Sequence, residues 1–274
     1  MLSVVEALAL LTPYDVDRRK ERIGPATDGG YVLLPDLFGR LPLFSYGIST
    51  EYRFDIDMSE RGHEVFMFDH TIDGLEVPPG NLRMHWFKEG VGGMRDPSQP
   101  VDTIENHLSA HVAPGSDALL KMDVEGWEYD AFDALSDASL LRFQQIVFEI
   151  HNLHALGDPG FRARFVRLLS RLTAHYTLFH VHANNWDGSN AFTFISGVPV
   201  SSLLELSFVR SDLVERRPSR TLYPSPLDYP CVHPHDKKLW FFPFLPTGVT
   251  PAEFHAAEQR LDMAAQLIQM STGG

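Results

Sequence analysis

The sequence predicts an α/β fold, a mostly parallel sheet with helices on both faces, and three observations predict it. Apolar runs alternate with helical segments from residue 43 to residue 182, as successive βαβ crossovers require. The central run, Ala118-Leu119-Leu120-Lys121-Met122-Asp123-Val124-Glu125-Gly126-Trp127-Glu128, reads as a buried strand, a tight turn and a helix start. The last strand, near 203–209, follows its predecessor without a convincing helix between them. A short connection of that kind makes it antiparallel.

The elements follow in order. Residues 3–12 form an amphipathic helix ending near Pro13. Asp28-Gly29-Gly30 is a turn signal that feeds a short strand through Leu34. The run from Leu43 reaches Gly47 and Ser49, a helix covers about 52–61, and a strand at 64–70 ends on Asp69. Residues 81–87 are a third strand, followed by the glycine-rich loop Lys88-Glu89-Gly90-Val91-Gly92-Gly93. A helix after Pro100 puts Val101, Ile104, Leu108 and Val112 on one face. Beyond the central strand come a helix at 127–135 and a strand at 145–152. Asp158-Pro159 opens a helix with the stripe Phe161, Phe165, Leu168, Leu169 and Leu172. A strand at 177–185 completes the alternation. Residues 216–248, rich in proline and aromatics, form an irregular cover. Thr250-Pro251-Ala252-Glu253 is a capping box that opens a terminal helix to about Met270, before a frayed Gly273-Gly274. The whole reads as one domain over 1–274, with a helix and cap at 1–40, a core at 41–210, and cover plus terminal helix at 211–274.

Composition narrows the function. The net charge is −13, with Arg18-Arg19-Lys20 the only dense basic cluster, so nucleic acid is not an expected partner. The single cysteine, Cys231, allows no intramolecular disulfide and suits a reducing, cytoplasmic setting. No run of 18 apolar residues occurs, so no membrane span or membrane partner is expected.

Polar groups gather at strand ends. Lys121, Asp123 and Glu125 sit two apart, so an extended chain points all three to one side. Glu149 and His151 end the next strand, and His182 and Asn184 the one after. Buried strands tolerate such groups only where they pair or meet a ligand. Upstream, Gly47 stands about 20 residues before Asp69, the spacing at which a turn and an acid hold a nucleotide. Ser49 and Glu51 replace glycines of the usual turn. The strand-end groups fit two chemistries. Asp123, Glu149 and His182 or His151 would bind a divalent cation, or His151 or His182 would act as general base. Cys231-Val232-His233-Pro234-His235-Asp236 lies in a proline-rich loop and reads as structural.

Several of these pieces, in this order, resemble the FkbM-type S-adenosylmethionine-dependent methyltransferases. They are Asp28-Gly29-Gly30-Tyr31, Ser45-Tyr46-Gly47-Ile48, Phe68-Asp69, Leu120-Lys121-Met122-Asp123-Val124-Glu125-Gly126, Glu149-Ile150-His151, His180-Val181-His182-Ala183-Asn184-Asn185 and Leu204-Glu205-Leu206. Together they span about residues 22–210. The resemblance implies a Rossmann-like, seven-stranded, mostly parallel sheet with one antiparallel strand. It implies that Gly47 and Ser49 pass near the amino-acid end of S-adenosylmethionine, that Asp69 holds the ribose, and that Glu89, Gly90 and Val91 lie near the adenine. Asp123 lies beneath the methyl donor, with Glu125 beside it. His151, His182 and Glu149 are then the candidate catalytic residues, and Asp123, Glu149 and His182 the candidate metal set. O-methylation of a sugar or glycan-like small molecule is the implied reaction, and a homo-oligomer is compatible with it. Two rivals remain open: a nicotinamide-dependent oxidoreductase on the same βαβ unit, and a carbohydrate-binding protein using Trp127, Trp186, Trp240 and the aromatics at 240–244.

Overall fold

The structure, a computed structural model, describes residues 2–75, 83–96, 98–186, 190–232 and 235–272. Its centre is a seven-stranded sheet: β1 (Leu43–Tyr46), β2 (Val65–Phe68), β3 (Met84–Phe87), β4 (Ala118–Met122), β5 (Phe143–Ile150), β6 (Tyr176–His182) and β7 (Leu204–Arg210). The spatial order is β3-β2-β1-β4-β5-β7-β6. All pairings are parallel except those of β7, which runs antiparallel to both β5 and β6. This is the doubly wound order, with the antiparallel strand inserted before the edge. The expected third strand at 81–87 is seen at 84–87; residues 81 and 82 lie outside the described residues, as do His233, Pro234 and the Gly273-Gly274 tail.

The helices are α1 (Val4–Leu8), α2 (Arg53–Glu60), α3 (Ile104–His111), α4 (Glu128–Ala134), α5 (Asp137–Leu140), α6 (Pro159–His175) and α7 (Pro251–Thr272). Alternation along the strands supplies both faces. Phe44, Leu120 and Phe148 point into a core shared with α1, α3, α4 and α6. Their neighbours Leu43, Leu119 and Val147 point the other way, onto Phe54 and Met58 of α2. Strands buried on both sides read as continuous apolar runs, as β1 and β4 do. Each such side chain contributes about 1.5–3 kcal/mol. Caps fix the helix starts. The Ser3 hydroxyl accepts from Glu6 N, Asp158 accepts from Phe161 N with Pro159 behind it, and the Thr250–Glu253 capping box is formed.

The Asp28-Gly29-Gly30 turn belongs to an antiparallel hairpin, Glu21–Ile23 with Tyr31–Leu33. Residues 216–248 are mostly irregular, but Arg216–Pro218 pairs with Tyr14–Val16. A second hairpin, Thr193–Ile195 with Val198–Val200, precedes β7 and was not expected from the pattern. Among the described residues no helix is long and apolar enough to cross a membrane.

Candidate active site

The chain goes outward from β1 to β2 and β3, then returns to the other side of β1 with β4. Ligands of open α/β sheets bind beyond the carboxyl ends of the strands at such a switch point. A cavity of about 520 Å³ opens there. Gly47, Ile48 and Ser49 after β1, Asp69, His70 and Thr71 after β2, Gly90 and Val91 after β3, and Lys121, Asp123, Glu125 and Trp127 around the end of β4 all line it, with Asp28 and Gly29 from the hairpin.

Gly47 has φ 72°. A Cβ there would overlap the carbonyl oxygen of Asp123, so only glycine lets β1 and β4 close at this point. Lys121 braces the same crossing, its buried ammonium donating to the carbonyls of Tyr46 (3.2 Å) and Gly47. The acid after β2 has a structural duty first. Asp69 Oδ2 accepts from Ile48 N and Ser49 N, both at 2.9 Å, and Oδ1 from Thr71 N (2.7 Å) and Thr71 Oγ1 (2.6 Å). Burial opposes its charge, but these bonds outweigh burial and hold its carboxyl below the ordinary value.

The turn after β4 departs from the extended reading. Glu125 (φ 53°) and Gly126 (φ 102°) are left-handed, so strand alternation stops at Met122 and does not carry Glu125 to the face of Lys121. The left-handed step brings the Glu125 carboxylate to His151 instead. His151 Nε2 lies 3.4 Å from Glu125, 3.5 Å from Glu149 and 3.8 Å from Asp123. Its Nδ1 lies 3.4 Å from Glu128, a charge contact short of hydrogen-bond geometry. His151 is 8% exposed and sits behind Asp123 and Glu125, not in the cavity wall. Burial alone would lower its pKa; Glu128, Asp123 and Glu125 outweigh that and raise it. Burial pushes the Asp123 carboxyl up to about 6, with repulsion from Glu125 and Asp28 added and Lys121 and His151 opposing. Glu149 is held well above the carboxylate range by burial, then by Asp123, Glu205 and Asp28.

Three expectations need correction. His182 is not placed to act as a base at this cavity. It is 1% exposed, between Glu205 (Nδ1, 3.0 Å) and Asp236 (Nε2, 2.9 Å), and those acids overcome burial to raise its pKa well above the ordinary value. With a carboxylate on each ring nitrogen, the ring offers neither nitrogen to the cavity. The metal set Asp123, Glu149 and His182 is not brought together either. Among the described residues, the groups whose ligand atoms lie within 4.8 Å of one another are Asp123-Glu125-His151 and Asp28-Glu205-Cys231. Glu149 instead pairs across the sheet with Glu205, and the Asn184 amide donates to Glu149 (2.9 Å), Glu205 (3.4 Å) and Asp28 (3.0 Å). Glu89 is outside the cavity wall, 3.2 Å from His107 Nε2. Of the aromatics, Trp127 and Trp186 are exposed, whereas Trp240 packs edge-on against Phe254.

Glu128 escaped the sequence reading, because an acid in the first turn of a helix is ordinary. It is fully buried and accepts from His151 N and Gly126 N, both at 2.8 Å. Tyr129, beside it, donates to the His151 carbonyl (2.8 Å). The start of α4 therefore clamps the end of β5. Tyr31 escaped as well; its hydroxyl is buried, without a hydrogen bond, near Asp123, Glu149, Glu205 and Asp28. The pattern Glu-Gly-x-Glu after a charged strand end was the available signal for Glu128.

Comparison with curated proteins gives no match. Among solved structures, "Co-crystal structure of WbdD and kinase inhibitor LY294002" is similar at 14% identity and a TM-score of 0.37. The similarity covers 69% of this chain and 42% of that one, so this chain spans less than half of that protein's length. Residues 75–176, which carry β3, β4, the acidic turn, β5 and the whole of α6, match the family model of the methyltransferase FkbM domain.

Proposed function

We propose that the protein is an S-adenosylmethionine-dependent O-methyltransferase acting on a hydroxyl of a sugar or glycan-like small molecule. One observation carries the reading most: the switch-point cavity joins the Gly47 turn, Asp69 and the acidic end of β4 in one wall. Gly47 and Ser49 would hold the amino-acid end of the cofactor, Asp69 would hold its ribose, and Gly90 and Val91 would flank its adenine. Asp123 and Glu125 supply negative charge beside the sulfonium.

Methyl transfer is an in-line displacement. The acceptor oxygen forms the new C–O bond, the C–S bond breaks, and its electron pair stays on sulfur as a neutral thioether. The enzyme's task is to hold the oxygen about 3 Å from the methyl carbon, in line with sulfur. A sugar hydroxyl is a weak nucleophile, so its proton must be lost to solvent at the end of the cavity that Asp123 and Glu125 line.

Calorimetric titration with S-adenosylhomocysteine and with NAD tests the cofactor. S-adenosylhomocysteine should bind, and Asp69→Ala should weaken it severely. Heat from NAD and none from S-adenosylhomocysteine would select the oxidoreductase instead.

A further inference from the structure

The corner behind the cavity has more acceptors than its one histidine can serve. Asp123 Oδ1 and both ring nitrogens of His151 are buried and make no hydrogen bond. An Nε2–H can donate well to one oxygen, yet three carboxylate oxygens stand 3.4, 3.5 and 3.8 Å from it. None of these contacts is a hydrogen bond. Bonds of about 2.1 Å would place neighbouring ligand atoms of one ion roughly 3.0–3.4 Å apart; the 3.4 Å from Nε2 to Glu125 matches this, and the 3.8 Å to Asp123 is slightly longer. The ligand atoms of Asp123, Glu125 and His151 all lie within 4.8 Å of one another.

The surroundings point the same way. Glu125 is held left-handed (φ 53°) although it is not glycine, and strained backbone of this kind concentrates at ligand sites. Behind the ring, Glu128 is buried, fixed by the two backbone N–H groups it accepts, and 3.4 Å from Nδ1. A carboxylate behind the far nitrogen is the usual support of a metal-bound histidine, because it sets the tautomer that leaves Nε2 free to ligate.

We infer that Asp123, Glu125 and His151 form a divalent-cation site, with Glu128 as positioning residue behind His151. Two carboxylates suit Mn²⁺ and an imidazole suits Zn²⁺, so this mixed set can take either divalent ion. Asp123 and Glu125 also line the cavity, so the ion's remaining positions face the space where the acceptor lies. There, resting on the methyltransferase reading, the ion takes the acceptor oxygen and lowers its pKa. The hydroxyl proton passes to solvent, and the metal-bound oxygen attacks the methyl carbon. Ion binding itself needs no part of that reading.

The test uses the full chain stripped with a chelator and titrated with Mn²⁺, reading free ion by electron paramagnetic resonance, and with Zn²⁺ in competition with a chelating dye. One ion should bind per chain. Glu125→Gln, at an exposed side chain that leaves packing intact, should weaken binding about 10-fold or more, as should His151→Asn. Glu128→Gln should weaken it about 10-fold without touching the ion. Neither ion binding to the wild-type chain, or equal binding to all variants, overturns the site. S-adenosylhomocysteine titrated into the same stripped sample reads the cofactor proposal separately.

Discussion

At the scale of single residues, the site depends on positions where chemistry and backbone leave one choice. Gly47→Ala must relieve an overlap with the Asp123 carbonyl and also hold φ near 72° with a side chain. We expect a loss of several kcal/mol, since strain and displaced strand ends add. Urea denaturation would measure it, and an unchanged midpoint would show that β1 and β4 can part without cost. Gly47, Asp69 and Asp123 were legible because their residue types are improbable at the ends of buried apolar runs. Glu128 was not, because its meaning comes from His151 and Gly126 folding onto it. Glu125 was legible as a site residue but for the wrong reason: extended alternation was assumed where the chain turns left-handed.

At the scale of elements, β5, β6 and β7 carry a buried polar layer that the cover closes. Glu149 and Glu205 face each other across β5 and β7, an arrangement that repels when both are charged. The Asn184 amide and the His182 imidazolium compensate, and Asp236 reaches His182 from the irregular cover. The strands were readable from their apolar runs. The Asp236 contact was not, because nothing local in a proline-rich loop specifies a partner 54 residues away. The layer predicts a pH dependence. Burial lowers the His182 pKa, but Glu205 and Asp236 outweigh it and raise the folded value well above the unfolded one. Its stabilisation is therefore complete below the unfolded value, about 6.5, and is lost as pH rises through the folded value. An NMR titration should find His182 still protonated at pH 7.5. A neutral ring at that pH would mean that burial outweighs the two acids.

At the scale of the molecule, strand order sets where function can sit. The order β3-β2-β1-β4-β5-β7-β6 leaves one switch point, between β1 and β4, and the cavity lies there. That order was only half legible: alternation gives parallel strands and crossovers, but the insertion of β7 between β5 and β6 is a long-range choice. The arrangement also links any ligand of this cavity to global stability, because the cavity wall is assembled from the ends of β1, β2, β3 and β4 and exists only when the sheet is formed. A ligand that binds the folded state alone stabilises it by about 2.7 kcal/mol at 100 times its Kd. For a chain of this size that is a rise in Tm of about 5 °C. S-adenosylhomocysteine should give that rise in a thermal unfolding scan, NAD should not, and Asp69→Ala should abolish it, because Asp69 holds the Ile48–Ser49 backbone that forms one wall. A full shift retained in Asp69→Ala would move the ribose contact elsewhere in the cavity, and no shift in either protein would remove the nucleoside from the switch point altogether.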